Sequence, residues 1–251
     1  METSSYGQEF FTLPHDVVPL PSKGRFYKQK KESFKVGYLT AEDENILMSP
    51  NMAKDGIIYQ LLRNKIYEPG FDINQLIDVD VQAILIFLRN TSFGSEYAFK
   101  VNDPATGKIF EVTLNIDELN YIKPIHEPDE NGLFVMKLPK SEKTVKCKLL
   151  NLGDQRELDK IRDSYPPNIT VPVVTKRLEK TIVELEGNTD RQSIIKFVQQ
   201  MPIADSKYIR NFISECEPKL DLDRVITAPS GERVTVSVAF GAEFFRPFFW
   251  I

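Results

Sequence analysis

Cysteine and histidine are scarce in this chain of 251 residues, and their scarcity limits its metal chemistry. There are two cysteines, Cys147 and Cys216, and two histidines, His15 and His126. A structural zinc site needs four convergent ligands, and neither histidine has a cysteine or a second histidine at ligand spacing. Two cysteines also make no disulfide framework, which favours a reducing cytoplasm. We predict no metal site and no cofactor.

The sequence also lacks the motifs of common enzymes. It contains no G-x-S-x-G elbow, Walker loop, G-x-G-x-x-G or H-E-x-x-H. Cys216 falls on the apolar side of a predicted helix and Cys147 in the middle of a predicted strand, where buried, inert thiols are typical. We predict that the chain has no catalytic residue and is not an enzyme.

No charge of one sign dominates, and no long apolar run occurs. The 32 basic and 36 acidic residues give a net charge of −4, so no global positive field attracts nucleic acid or anionic lipid. No segment has the length of a transmembrane helix or the pattern of a signal peptide. A hydrophobic content of 41% is ordinary for a soluble globular protein, and we expect no membrane partner.

Two distant segments share one pattern of strand, Pro/Gly turn and strand. The first has the turn Asp103-Pro104-Ala105-Thr106-Gly107, and the second has Ala228-Pro229-Ser230-Gly231. Each predicts a β-hairpin that follows an amphipathic helical block. A turn of this kind with two cysteines would be half of a zinc ribbon, but here it has none. The predicted fold class is α+β, with two helix-rich units each followed by a zinc-ribbon-like β-hairpin lacking the cysteines.

The chain divides into three predicted parts. Residues 1–39 form an extended N-terminal arm and a first strand, and residues 40–165 form a helical block with a hairpin and a strand pair. Residues 168–251 form a second helical block with the second hairpin and an aromatic C-terminal tail. The boundary is Pro166-Pro167, which ends the preceding helix.

Periodicity and capping residues predict the individual elements. In the first part of the chain, one predicted helix begins at a Thr40 cap, a second covers 57–62, and a third covers 81–88. The third helix has Asp78 or Asp80 as its cap and ends at Gly94. In the rest of the chain, predicted helices cover 153–165, 174–185, 189–200 with a cap at 188–190, and 204–216 with Asp205 or Ser206 as its cap. Besides the hairpins, predicted strands cover 26–27, 34–39, 133–136 and 144–150.

Aromatic side chains are plentiful and are concentrated at the end of the chain, which holds Phe244, Phe245 and three further rings. Chain ends are usually polar, because exposed apolar surface is unfavourable in water. The tail therefore either folds back into the core or binds a groove of a partner, where aromatic anchors dominate binding. The predicted partner-binding residues at the two ends are Phe10, Phe11, Leu20, Phe26, Tyr27, Phe244, Phe245, Pro247, Phe248, Phe249 and Trp250.

A basic and aromatic segment allows a second hypothesis. Five cations lie close to Phe26 and Tyr27, a combination found on proteins that bind single-stranded nucleic acid. The acidic total and the absence of a second such patch weigh against this. The five cations are Lys23, Arg25, Lys28, Lys30 and Lys31.

Several motifs, in order, resemble one family. The chain is similar to the baseplate-hub assembly proteins of T-even-like contractile-tailed bacteriophages over nearly its whole length. The similar segments are Val18-Pro19-Leu20-Pro21-Ser22-Lys23-Gly24-Arg25-Phe26-Tyr27, residues 38–47, Asp190-Arg191 to Phe197-Val198 with Met201-Pro202, residues 205–213, and Glu243-Phe244-Phe245-Arg246-Pro247.

The resemblance implies a non-enzymatic assembly factor or component of the baseplate hub that acts by binding. Its partners would be other hub proteins, with copies of itself as a further candidate, in the host-cell cytoplasm or in the tail baseplate of the virion. Many members of the family carry Cys-Pro-x-Cys-Gly in the hairpin turns. Here Asp103-Pro104 and Ala228-Pro229 stand where the first Cys-Pro would lie, so zinc binding is not implied.

Overall fold

The computed structural model describes residues 14–49, 54–166, 168–241 and 244–245. They form α-helices and small antiparallel sheets, which confirms the α+β class. The strands are β1 (His15–Pro19), β2 (Ser33–Gly37), β3 (Glu96–Asn102), β4 (Ile109–Asn115), β5 (Tyr121–Ile122), β6 (Leu133–Lys137), β7 (Thr144–Lys148), β8 (Ile182–Leu185), β9 (Lys219–Leu220), β10 (Asp223–Thr227) and β11 (Arg233–Ser237). The helices are α1 (Ala41–Leu47), α2 (Lys54–Lys65), α3 (Asp78–Phe93), α4 (Leu152–Ser164), α5 (Val173–Thr181), α6 (Arg191–Gln200) and α7 (Ile203–Cys216).

Both predicted hairpins are present. β3 pairs with β4, with Phe99 opposite Val112, and β10 pairs with β11, with Ile226 opposite Val234. Burial alternates along the strands, so each hairpin has one apolar and one solvated face, as the period-two pattern requires. Local turn chemistry was sufficient to locate both hairpins.

The helix caps agree with the sequence at some ends and differ at others. Thr40 caps α1 in a capping box with Asp43, and the Asp190 side chain caps α6. The predicted caps of α3 and α7 are wrong. Ile77 and Pro202 hold the cap positions of these two helices, and Asp80 and Asp205 lie in the first turn, where their carboxylates accept hydrogen bonds from other segments.

The predicted helix over 174–185 is also wrong in its last four residues. α5 ends at Thr181, and the chain continues as strand β8, which pairs with β7. The change from helix to strand results from a tertiary contact. Ile182 and Val183 are β-branched, and pairing with β7 buries Ile182 completely.

Two pairings join the parts on either side of residues 166–168. The sheet of β6, β7 and β8 crosses this point, and so does the short pair of β5 and β9. One apolar core includes Val36 from β2, Leu85 from α3 and Ile209 from α7. Among the helices of the described ranges, none is long and apolar enough to cross a membrane.

Candidate functional site

The family-like segment 21–27 consists of successive tight turns. The predicted strand at Phe26-Tyr27 is wrong, because these residues continue a series of turns from Pro21 to Lys30. Lys23 and Gly24 have φ values of 52° and 67°. A Cβ atom on Gly24 would lie 2.3 Å from the carbonyl oxygen of Lys31, so this position requires glycine.

The turn is fastened to the start of α3 by a buried carboxylate. Asp80 accepts hydrogen bonds from the Ser22 backbone N–H at 3.0 Å, from the Ser22 hydroxyl and from the Tyr27 hydroxyl. The Tyr27 oxygen in turn accepts the N–H of Ile77 at 3.2 Å. Among the described residues, the hydrogen-bond donors to this carboxylate therefore come from the family-like turn, and they fix this segment on α3.

Burial shifts the pKa of both acidic partners in this network. Desolvation raises the pKa of Asp80, although the hydrogen bonds from Ser22 and Tyr27 partly oppose the rise. Desolvation, together with the nearby Asp80 charge, also raises the pKa of Tyr27. Tyr27 therefore remains a hydroxyl donor across the physiological range of pH.

The Tyr27→Phe variant should lose about 1–3 kcal/mol of unfolding free energy, the typical effect of leaving a buried hydrogen-bonding group without its partner. Urea denaturation of both proteins measures the difference. Tyr208→Phe is the matched control, because Tyr208 is 40% exposed, and it should change stability little. Equal losses in the two variants would show that the Tyr27 hydroxyl has no special structural role.

The tail rings that the structure describes lie in the core. Phe244 and Phe245 are completely buried and meet edge to face at 5.3 Å between ring centroids. The buried guanidinium of Arg89 lies 5.4 Å from the Phe244 ring centroid and 5.2 Å from that of Tyr97. The sequence left two alternatives open for the tail, the core or a partner groove. In the structure, these two rings fold back into the core.

The other predicted partner-binding residues divide into two groups. Leu20 and Tyr27 are buried, and Phe26 is half-buried against Phe134 at 6.2 Å between centroids. Outside the described residues lie Phe10, Phe11, Pro247, Phe248, Phe249 and Trp250.

The two hairpin turns are joined by one carboxylate. Asp103 accepts hydrogen bonds from the Ser230 hydroxyl at 2.8 Å and from the Ser230 N–H at 3.1 Å. Within its own turn it accepts the N–H groups of Ala105 and Thr106 at 2.9 and 3.3 Å. The turns of the two hairpins therefore meet, and a carboxylate holds them together.

These hydrogen bonds determine the ionisation of Asp103. Desolvation opposes the charged form, but the Ser230 hydroxyl and the three backbone N–H groups outweigh it and hold the pKa below its ordinary value of 3.8. The contribution of Asp103 to stability is therefore present above pH 3.8 and is lost as the pH falls through the lower folded pKa.

The Ser230→Ala variant should raise the pKa of Asp103 toward its ordinary value, because the hydroxyl donor is lost. Carboxyl NMR during an acid titration follows this directly. The amide of residue 230 should also exchange with solvent roughly tenfold faster, because the turns separate more often. Ser237→Ala, at an exposed strand position, is the control. An unchanged Asp103 pKa would contradict the coupling of the turns.

The basic segment uses most of its cations within the protein. Arg25 pairs with Glu127, and Lys31 pairs with Glu68. Lys30 donates to the carbonyl oxygens of Arg25 and Glu130 at 3.0 and 2.7 Å. With Tyr27 also buried, this segment does not display the combination of free cations and exposed rings that suits stacked bases.

The two cysteines and His126 lie in packed environments within the fold. Both Cys147 and Cys216 are buried, and desolvation raises the pKa of each thiol to about 12, so neither ionises near neutral pH. His126 stacks on Phe212 at 4.4 Å. In the part of the chain that the structure describes, no group of three or more His, Cys, Asp or Glu residues is arranged to hold a metal ion.

Sequence reasoning missed the three charged residues that organise these contacts. The sequence predicts Asp80 as a helix cap and places Asp103 where a family cysteine would lie, and it assigns no role to Arg89. The available signal is a charged residue beside apolar neighbours, such as Arg89, which directly follows the apolar run 84–88. Such a charge must find partners when the helix is buried.

The geometry defines a mixed α+β protein in which the described turns and the rings of Phe244 and Phe245 are used for internal packing. Comparison with known proteins identifies the family. A family model described as T4 bacteriophage base plate protein matches residues 17–246, and the chain belongs to this family. No match was found among curated proteins or among solved structures.

Proposed function

We propose that this protein is a non-enzymatic assembly factor or structural component of the phage baseplate hub and acts by binding other hub proteins. The observation that carries the proposal is the family match, which covers residues 17–246 and includes both hairpins and the buried tail rings. The protein would act in the host-cell cytoplasm and, if it is retained, in the tail baseplate of the virion.

The joined hairpins support the finer part of this proposal. We regard them as ribbon-like units in which Asp103 and Ser230 provide the link that metal ligands would give in a zinc ribbon. Carboxylate hydrogen bonds need no metal, so the pair keeps its shape through packing and these bonds. The protein then offers partners a rigid surface without a cofactor.

The rings beyond residue 245 are the proposed partner anchors at the C-terminal end. Phe244 and Phe245 are committed to the core, so an experiment on the tail must leave them unchanged. The variant Phe248→Ser/Phe249→Ser/Trp250→Ser meets this condition. Val225→Ser, at an exposed apolar position on β10, is the matched control.

Both variants and the wild type are to be affinity-purified from infected cells, with mass spectrometry of the bound proteins and of purified virions. We expect hub proteins with the wild type and the control, and their loss with the triple variant at unchanged melting temperature. Wild-type protein without any bound hub protein would contradict the proposed function. A triple variant that unfolds would place the rings in the core, and the anchor role would be rejected.

Binding of single-stranded nucleic acid through residues 23–31 is the second candidate, and it has less support. Arg25, Lys30 and Lys31 already contact groups of the protein. This candidate predicts an affinity for oligonucleotides that falls steeply with salt. Absence of binding at low ionic strength would eliminate it.

A further inference from the structure

A cleft of about 460 Å³ lies where the first turn of α3 meets the second half of the chain. One wall is α3 with the residues before it, from Leu76 to Gln82. A second wall is the link between β7 and α4, which is fastened to the first by a hydrogen bond of 2.7 Å from the Leu152 N–H to the Leu76 carbonyl. The third wall is formed by β9 and its neighbours. This volume is within the range of ligand-binding pockets.

The third wall is the edge of a strand. Both Lys219 and Leu220 line the cleft, although successive side chains of a strand point to opposite faces. A cavity that touches both therefore borders the edge of β9. β5 occupies the other edge, so β9 faces the cleft with the edge that no strand of the described residues covers.

The hydrogen-bond register shows which backbone groups of β9 are not used by β5. Asp221 N–H donates to the Asn120 carbonyl at 2.8 Å, and Tyr121 lies opposite Leu220. In an antiparallel pair these bonds alternate, so Tyr121 and Leu220 are a non-hydrogen-bonded pair. The N–H and C=O of Leu220 point away from β5, and within the described residues neither has a hydrogen-bond partner.

A second group without a hydrogen-bond partner lies on α3, behind the wall of the cleft. The Oε1 atom of Gln82 is buried and has no hydrogen-bond partner within the described residues, while its Nε2 donates to Asp78 at 2.6 Å. Gln82 also lines the cleft. This oxygen is buried beneath the wall of the cleft, so it marks a strained hydrogen-bond network at the start of α3 and is not itself a contact point for a ligand.

The side chains of the cleft combine apolar surface with carboxylates. Asp78 and Glu217 line it together with Arg177, while Lys219 donates to Ser214 at 2.7 Å. Desolvation raises the pKa of both carboxyl groups. For Glu217, the charges of Lys219 and Arg177 partly oppose the rise, and the Asp78 charge adds to it. A cationic group of a ligand would favour both charged forms. Most of the other lining residues are apolar, among them Leu76, Val79, Leu149 and Leu222.

We propose that this cleft binds an extended segment of a partner polypeptide, which adds to β9 as a third strand. The backbone of the segment would pair with the N–H and C=O of Leu220, an apolar side chain would fill the cleft, and a neighbouring Lys or Arg would face Asp78. This is strand addition, in which the backbone gives affinity and alternate side chains give specificity. The inference rests on the proposed function, because it names the surface through which a hub protein would be bound.

The probe is an array of overlapping peptides of about 15 residues that cover the other baseplate hub proteins of the same phage, with this chain's own sequence included. The full-length protein is tested as wild type and as Gln155→Trp, which places an indole at an exposed position lining the cleft. Lys160→Trp, exposed on the same helix and outside the cleft lining, is the matched control. We expect bound peptides with an apolar residue next to a basic one, and at least tenfold weaker binding by Gln155→Trp only.

Hydrogen exchange tests the strand addition itself. The Leu220 amide should become at least tenfold more protected when the peptide binds, while the amide of Tyr121, on the far edge of β5, should not change. Binding without protection of Leu220 would overturn strand addition. Equal binding by wild type and Gln155→Trp, or binding of no hub peptide, would overturn the cleft as a docking site. Selective binding of the protein's own peptides would replace the partner with a second copy and overturn the proposal.

The two proposals fail in different ways. If Gln155→Trp still co-purifies with hub proteins at the wild-type level, the cleft inference is wrong and the proposed function stands. If wild-type protein co-purifies with no hub protein, the proposed function is wrong. Melting temperatures of both tryptophan variants, equal to that of the wild type, ensure that a loss of binding is not a loss of the fold.

Discussion

Replacement of Phe244 with alanine is expected to lower the free energy of unfolding by about 3–5 kcal/mol, the range for removing a buried phenylalanine. The ring is completely buried in the core. It lies 5.4 Å from the Tyr97 centroid and 4.9 Å from that of Phe240. The Arg89 guanidinium lies near its face, so the variant also removes a cation–π contact from a buried charge.

Chemical denaturation of Phe244→Ala measures this loss, and Tyr208→Ala is the control. Tyr208 is an aromatic residue that is 40% exposed, so its truncation should cost about 1 kcal/mol or less. Phe244→Leu should recover part of the stability, because it retains apolar volume. A loss for Phe244→Ala no larger than that of the control would contradict core packing of the ring and favour the partner-binding hypothesis for it.

The parts of the fold that the sequence predicted well are those set by local chemistry. The turns 103–107 and 228–231 lie between alternating strands, and Pro and Gly limit the chain to few turn conformations there. Thr40 with Asp43 is a capping box that needs no information from outside the first turn of α1. Such signals are complete within a few residues and can be read directly.

The sequence predictions are wrong where contacts between distant segments determine the local structure. Residues 182–185 continue the apolar spacing of α5, and only the pairing of β8 with β7 makes them a strand. Ser22 and Asp80 are separated by 58 residues, so no local pattern could predict that one accepts hydrogen bonds from the other. The meeting of Asp103 and Ser230, separated by 127 residues, depends in the same way on the whole fold.

This distinction also affects how the candidate site was predicted. The sequence picked Leu20, Tyr27 and the terminal rings because they are strongly apolar, but apolar side chains serve cores and interfaces equally. The structure places those that it describes mainly in the core. The cleft beside β9 has no sequence signature, because its walls come from residues 76–82, 149–155 and 217–222. An available strand edge can be recognised only from the pairing of the strands.

The ion pair between Asp43 and Lys65 is the clearest charged contact between α1 and α2. Both side chains are almost inaccessible, with relative exposures of 2% for Asp43 and 4% for Lys65. Asp43 also accepts hydrogen bonds from the Thr40 N–H at 2.7 Å and the Thr40 hydroxyl at 2.8 Å. The carboxylate therefore caps α1 and neutralises a buried ammonium group of α2.

Asp43→Ala should lower the free energy of unfolding by about 3–5 kcal/mol, because it leaves the Lys65 ammonium buried without its counter-ion. Lys65→Met should cost less, since Asp43 keeps both donors of Thr40 and the methionine retains the packing of the lysine stem. The double variant Asp43→Ala/Lys65→Met should be more stable than Asp43→Ala alone, because no unpaired charge remains in the interior. Urea unfolding of the three variants and the wild type completes a double-mutant cycle. If the loss of the double variant equals the sum of the two single losses, Asp43 and Lys65 are not energetically coupled, and the ion pair does not stabilise the fold.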